Sequence, residues 1–218
     1  MEYLLITVGA FEVNCAVLWT HGLPEAWVID PGEDADMILE ALRQRELTLS
    51  RIILTHGHID HIYQADAWRV LSGAPLAIHA ADRACLTDPG RNLSAVISSA
   101  RTFAPAEAAL VDGQTIELDA AHRLTVWHTP GHTAGSCCFL LEEEGKPTAL
   151  FSGDTLFAGS VGRTDLGGEA SALDHSLRFL AGQAERLGLD ETHDLAVYPG
   201  HGPATGLARE VGSNPFFP

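Results

Sequence analysis

The chain has 218 residues, 46% of them hydrophobic and 19% charged, which fits a globular domain with a sizeable core and excludes a disordered chain. Its net charge of −16 argues against a nucleic-acid partner, because such binding needs a basic surface. No apolar run approaches the roughly 18–20 residues of a membrane span, so no membrane partner is expected. The N-terminus, MEYLLITVGAFEVNC, lacks the basic and long apolar regions of a signal peptide, and the expected location is the cytoplasm. Cys15, Cys85, Cys137 and Cys138 form no CxxC pair or disulfide framework, as expected in a reducing compartment.

In chain order, LLITVG, NCAVLWT and AWVID read as short strands separated by turn residues, the third ended by Pro31-Gly32. Glu33 to Arg45 reads as a helix with Asp34 at its N-cap and Met37, Ile38, Ala41 and Leu42 on one face. RIILT is a buried-type strand that delivers THGHIDH at its C-terminal end. A helix over roughly 61–72 follows, with Ile62, Ala65, Trp68 and Leu71 as its apolar stripe. PLAIHA reads as a strand, and residues 87–105, rich in Pro, Gly, Ser and Ala, as a surface connection or lid. In the second half TIEL, RLTVWHT, SCCFLLEE and TALFS read as strands, with Glu144-Gly145-Lys146 a hairpin turn. Ala170 to Leu187 reads as a helix and LAVYPG as the last strand. Strands grouped in each half with helices between them predict an α+β architecture of two packed sheets with helices outside.

Histidines and carboxylates recur in loops after these strands: His56, His58, Asp60 and His61 in THGHIDH, His128 and His132 in HTPGHTAGS, Asp154 in FSGDTLF and His201 in YPGHGP. A glycine stands beside each group (Gly57, Gly131, Gly153, Gly200) and permits the sharp turns that aim a ligand inward. Neutral imidazole and carboxylate are ligands for zinc and other borderline divalent metals. Seven candidates, His56, His58, Asp60, His61, His132, Asp154 and His201, are too many for one ion. Two ions sharing one carboxylate would use them all. His128 is as consistent with packing as with support of a ligand, and His79 reads as structural. His21, His122, His175 and His193 read as exposed, and the four tryptophans as packing residues.

The HxHxDH element His56-Gly57-His58-Ile59-Asp60-His61, followed in order by TPGHT, SGDT and PGHG, resembles the metallo-β-lactamase superfamily. The resemblance implies a single domain over 1–218 with a four-layer αββα sandwich. It also implies one metal site of His56, His58, His132 and Asp154 and a second of Asp60, His61, His201 and the shared Asp154. Zn is the expected metal, with Fe or Mn accepted by the same donors. SGDTLFAGSVGRTDLGG and the ending YPGHGPAT…SNPFFP are similar to short-form glyoxalase II enzymes, which implies hydrolysis of S-D-lactoylglutathione or a similar small-molecule thioester by attack of a metal-bridging hydroxide. Asp60 would then bind metal and orient the nucleophile. Arg163 would either hold a substrate carboxylate or brace its loop against Asp165. The shared Asp154 disfavours β-lactam hydrolysis. Long glyoxalase II proteins grip glutathione with a basic C-terminal helical domain, of which this chain keeps only Asn214-Pro215-Phe216, so the resemblance does not say how the thiol half is recognised. The GRTD sequence, Gly162 to Asp165, is also shared with iron-dependent persulfide dioxygenases, the first alternative. A non-catalytic metal-binding protein is the second.

Overall fold

A computed structural model describes residues 1–97 and 99–217. The chain forms two compact units, residues 1–111 and 112–218.

The first unit runs β1 (Glu2–Val8), β2 (Val13–Trp19), β3 (Glu25–Ile29), α1 (Ala35–Gln44), β4 (Thr48–Ile53), α2 (Ile59–Ile62), α3 (Ala65–Ser72), β5 (Leu76–His79), α4 (Arg83–Thr87), α5 (Ser94–Ile97) and β6 (Ala108–Leu110). Its six strands form one sheet in sequence order. β1, β2 and β3 pair antiparallel; β3, β4, β5 and β6 pair parallel. Parallel neighbours need crossovers, and the helices between them supply these. Strands covered on both faces read as near-continuous apolar runs, as β2 (VNCAVLW) and β3 (EAWVI) do. α1 buries Ile38, Ala41 and Leu42 against this sheet's core. Met37, expected on the same face, is half-exposed. Asp34 flanks the helix as expected, but its backbone is left-handed and its carboxylate accepts from Gly9 N–H (2.8 Å), not from the helix.

The helix expected over 61–72 is two helices. The break has a backbone cause: Gly32 N–H donates to the His61 carbonyl (3.0 Å) and Gln64 N–H donates to the Gly32 carbonyl (2.8 Å), so the Pro31-Gly32 turn takes bonds a continuous helix would need. α3 buries Ala65 and Trp68, while Leu71 lies exposed. Truncating a buried tryptophan such as Trp68 costs about 3–5 kcal/mol.

Segment 87–105 is anchored more deeply than a surface connection. Asn92 and Ser94 are fully buried and Phe103 is buried. The Asn92 amide donates to the carbonyls of Cys85 (2.9 Å) and Arg101 (3.1 Å), and its oxygen accepts from Ser94 N–H (2.9 Å). The Asn92 carbonyl takes the Ile59 N–H at 2.8 Å, tying the segment to the start of α2.

The second unit runs β7 (Thr115–Glu117), β8 (His122–His128), β9 (Cys137–Glu143), β10 (Lys146–Gly153), β11 (Leu156–Phe157), β12 (Ser160–Val161), α6 (Ala170–Arg186), β13 (Ala196–Pro199), β14 (Thr205–Gly206) and α7 (Leu207–Ser213). One sheet has the order β14-β13-β10-β9-β8-β7, with β11-β12 a separate hairpin. All its pairs are antiparallel except β10 with β13. Glu144 and Gly145, both at positive φ, make the two-residue turn expected between β9 and β10. Trp127, Leu140, Leu150, Leu180, Val197 and Leu207 share this unit's core. His122, expected to be exposed, is buried, because its ring sits between the carboxylates of Asp119 (2.8 Å) and Glu143 (3.1 Å). The next cross-strand pair, on the opposite face of the sheet, is matched too: the Arg123 guanidinium donates to Glu142 and holds its carboxyl below the usual carboxylate range.

Asn92→Ala strands the Cys85 carbonyl and the Ser94 amide and leaves the Arg101 carbonyl to Ser94 Oγ alone. It should lower the unfolding free energy by about 2–3 kcal/mol in urea titration, far more than an alanine at exposed Val96 in the same segment.

Candidate metal centre

In the first unit, β3 and β4 run parallel with Ile29 beside Ile53, so the residues that leave their C-terminal ends lie side by side. Asp30 leaves β3 and the THGHIDH loop leaves β4. Asp30 is 2% exposed. Its Oδ1 accepts from Thr55 N–H (2.8 Å), and its Oδ2 accepts from Thr55 Oγ1 (2.6 Å) and His61 Nδ1 (2.9 Å). Its backbone is left-handed at φ 50°, a strain of about 1–2 kcal/mol. Three hydrogen bonds to a carboxylate, each contributing roughly 1.5–3 kcal/mol, outweigh it.

These bonds set ring tautomers. A carboxylate only accepts, so His61 carries its proton on Nδ1 and offers the Nε2 lone pair. Thr55 Oγ1 spends its proton on Asp30 and so accepts from His56 Nδ1 at 3.1 Å, which leaves Nε2 as the donor atom of His56 too. The rings of His56, His58 and His61 cluster, with centroids 4.8 Å apart for His56 and His58 and 4.1 Å for His56 and His61. His61 Nε2 stands 3.8 Å from Asp60 Oδ2. All three imidazoles are buried, whereas the Asp60 side chain keeps 17% exposure. Asp82, buried, accepts the Gly57 N–H at 3.0 Å. Gly57 does not adopt the positive φ expected of a turn glycine. It is needed for space, because a Cβ there would lie 2.4 Å from Cys85 Cβ. Burial, helped by Asp82, pushes the Cys85 thiol up to about 12.

In the second unit the parallel pair β10 and β13 sets Gly153 beside Pro199, and Gly200 N–H donates to the Gly153 carbonyl at 2.8 Å. The SGDT and PGHG loops are adjacent for that reason. The TPGHT loop joins them through Thr129 and Thr155, whose hydroxyls lie 2.8 Å apart. Asp154 Oδ2 stands 3.4 Å from His132 Nε2 and 3.5 Å from His201 Nε2. His132 Nδ1 donates to the Arg163 carbonyl at 2.7 Å, so it too offers Nε2. His128 Nε2 donates to the Ala134 carbonyl at 2.9 Å and braces the loop that carries His132. Gly162 is a second glycine required by close approach, since a Cβ on it would meet the Asp154 carbonyl at 1.8 Å.

The second unit's half-set fits a divalent cation by its spacing. Donors at about 2.0–2.2 Å from one tetrahedral ion stand roughly 3.4 Å from each other. The contacts of Asp154 with His132 and His201 have that length, longer than the 2.7–3.2 Å usual for a hydrogen bond. Imidazole nitrogen and carboxylate oxygen without thiolate suit Zn, Fe or Mn. The Arg163 guanidinium, named above either for a substrate carboxylate or for Asp165, donates to both oxygens of Asp165 (2.7 and 2.6 Å) at the surface and holds that carboxyl down at about 2. Asp30, Thr55 and Asp82 carry no expectation from the sequence. The only hint of Asp30 is an acid directly after an apolar strand, in WVIDPG.

Asp30→Asn turns an amide N–H toward a donor and loosens both His61 and His56. Metal affinity should fall about 10–100-fold in chelator competition, with the fold retained by circular dichroism. Gly162→Ala should lower metal occupancy as well, by displacing Asp154.

A family model of the metallo-beta-lactamase superfamily matches residues 8–201. The chain is 31% identical to the hydroxyacylglutathione hydrolase GloC of Haemophilus influenzae, over 99% of this chain and 98% of that protein. Among solved structures, BLEG-1 B3 metallo-beta-lactamase matches with a TM-score of 0.84 at 35% identity, covering 99% of each chain. TTHA1623 in a di-iron-bound form matches at 0.80 with 30% identity, covering 98% of this chain and 100% of that one. The fold is the metallo-beta-lactamase fold, α+β with two sheets and helices, and the chain belongs to the metallo-beta-lactamase superfamily.

Proposed function

We propose that the chain is a dinuclear metal hydrolase acting on a hydroxyacyl thioester of a small thiol, S-D-lactoylglutathione or a close analogue. The observation that carries this reading is the single oxygen Asp154 Oδ2 set between His132 and His201, imidazoles that we assign to different ions. On this reading the two compact units act as one domain over 1–218. His56, His58 and His132 serve one ion, Asp60, His61 and His201 the other, and Asp154 both. The relation to GloC supports a thioester substrate, and the di-iron form of TTHA1623 supports two ions. We take zinc as the resident metal, with iron or manganese as substitutes. Among the described residues no helix is long and apolar enough to cross a membrane. All four cysteines are free, which supports a cytoplasmic setting.

Two divalent ions, when bound, supply Lewis acidity and bring the pKa of a water toward neutrality. The residues do the rest. Asp60, the most exposed ligand of its loop, orients the water toward the thioester carbonyl. Asp30, Thr55 and the Arg163 carbonyl keep Nε2 of His61, His56 and His132 in place. Water adds to the carbonyl carbon, the C–S bond breaks and the acyl group leaves as the hydroxy acid. The departing sulfur is a thiolate whose conjugate acid has a pKa of about 8.5, so no protein acid is required.

Full-length structural likeness to BLEG-1 favours a second reading, β-lactam hydrolysis. Assays of metal-loaded protein on S-D-lactoylglutathione and on a chromogenic cephalosporin should show hydrolysis of the thioester and at most a trace on the cephalosporin; the reverse overturns the proposal. One iron per chain with oxygen uptake on glutathione persulfide would make it a dioxygenase, and inactivity of the fully metallated protein on every thioester a binding protein. Asp60→Asn, assayed at saturating metal with its metal content measured in parallel, should lower kcat by roughly 10²–10⁴-fold. Removing the ions with a chelator should abolish turnover, and zinc should restore it.

A further inference from the structure

With 13 lysines and arginines against 29 acids, an arginine in this chain has many possible carboxylate partners. Arg69, Arg91, Arg123, Arg163 and Arg178 each take one. Arg101 does not. Its guanidinium lies over the Tyr63 ring, 4.0 Å from the ring centre, with the Phe103 ring at 5.9 Å. Among the described residues no carboxylate lies within ion-pair distance of it.

The position is fixed from both ends. Arg101 N–H donates to Ser94 Oγ (2.8 Å), and its carbonyl accepts from Asn92 Nδ2 (3.1 Å) and Ser94 Oγ (3.3 Å). Those partners are fully buried, and the Asn92 carbonyl takes the Ile59 N–H, between His58 and Asp60. Tyr63 continues the right-handed turn of α2. It therefore lies three residues from Asp60 on a helical surface, where Cβ atoms of such pairs are about 5–6 Å apart. Stacking leaves the charge and the N–H edges of a guanidinium available, and its planar fork matches a carboxylate. The only cation expected from the sequence to do this work, Arg163, is engaged on Asp165.

We propose that Arg101, stacked on Tyr63, binds a carboxylate of the thiol half of the substrate, so that the thiol carrier is an anionic peptide thiol of the glutathione type. This rests on the thioesterase reading and extends it to the leaving group. Arg101 is a specificity residue; it takes no part in breaking the C–S bond.

Arg101→Met keeps the stem on Tyr63 and removes the charge. Kinetics of metal-loaded protein on S-D-lactoylglutathione and on the uncharged lactoyl thioester of 2-mercaptoethanol distinguish binding from structural roles. KM for the first should rise about 10–100-fold with kcat within about twofold, the second substrate should be unaffected, and Arg101→Lys should recover part of the loss. An unchanged KM, or equal losses on both thioesters, overturns the proposal. Arg101→Gln serves if the methionine variant does not fold. Calorimetric titration of metal-loaded protein with glutathione needs no turnover. If the wild type cleaves neither thioester, the thioesterase reading fails. Glutathione binding lost in the variant then still supports Arg101, while binding that is equal or absent in both overturns it.

Discussion

Imidazoles buried as deeply as His56 and His61 are unfavourable unless each nitrogen has a defined task, and the carboxylate of Asp30 defines both rings. It orients His61 directly and His56 through the Thr55 hydroxyl. One acid thus sets two tautomers, and it does so from a strand that contributes no candidate ligand. Its own left-handed backbone is tolerable because aspartate accepts that conformation better than most residues and because three donors converge on it. The rest of the loop follows. With His61 held, the Gly32 turn can take bonds from both sides of Tyr63, which breaks the helix and sets Tyr63 at the end of the ligand turn.

What the sequence displays and what it hides differ for a physical reason. The strands after which the ligands sit, the turn at Glu144-Gly145 and the order of the ligand motifs are local patterns, and they stand where expected. Asp30, Asp82 and Asn92 act through partners about 25 and 33 residues away in the chain (Thr55 and Gly57 for the two acids, Ile59 for Asn92). No local period encodes such a partner. Gly57 is instructive: its place beside histidines suggested a turn, yet the need is lateral space beside Cys85, set by how α4 lies on the loop. Met37 and Leu71 were placed on buried faces by periodicity alone, and short helices with few buried positions leave such residues outside. The buried His122 was hidden because the acids that neutralise its polarity are three positions before it and on the neighbouring strand.

Charge follows the same logic. A net charge of −16 says little about any single site. Locally, Arg123 and Arg163 are matched to acids beside them, and the fold leaves Arg101 to an aromatic ring. The sequence leaves Arg163, which follows a ligand loop, open between holding a substrate carboxylate and bracing its loop. Its side chain is held by Asp165 while its carbonyl holds His132. The residue therefore matters to the centre through its backbone, a role that side-chain chemistry cannot reveal.

The two halves of the ligand set also share a topological cause. In an antiparallel pair, neighbouring strand ends are joined by a hairpin or belong to opposite directions, so a polar group at one C-terminus faces an N-terminus. In a parallel pair both C-terminal ends emerge together, and residues distant in sequence are delivered side by side. Each unit is mostly or partly antiparallel, yet its ligand loops and their supporting acid leave a parallel pair: the supporting Asp30 and the THGHIDH loop from β3 and β4, the SGDT and PGHG loops from β10 and β13. His132 comes from a strand in purely antiparallel surroundings, and it is supported by the Thr129–Thr155 contact, the His128 brace and the Arg163 carbonyl. Where topology does not deliver a ligand, side-chain and backbone hydrogen bonds must.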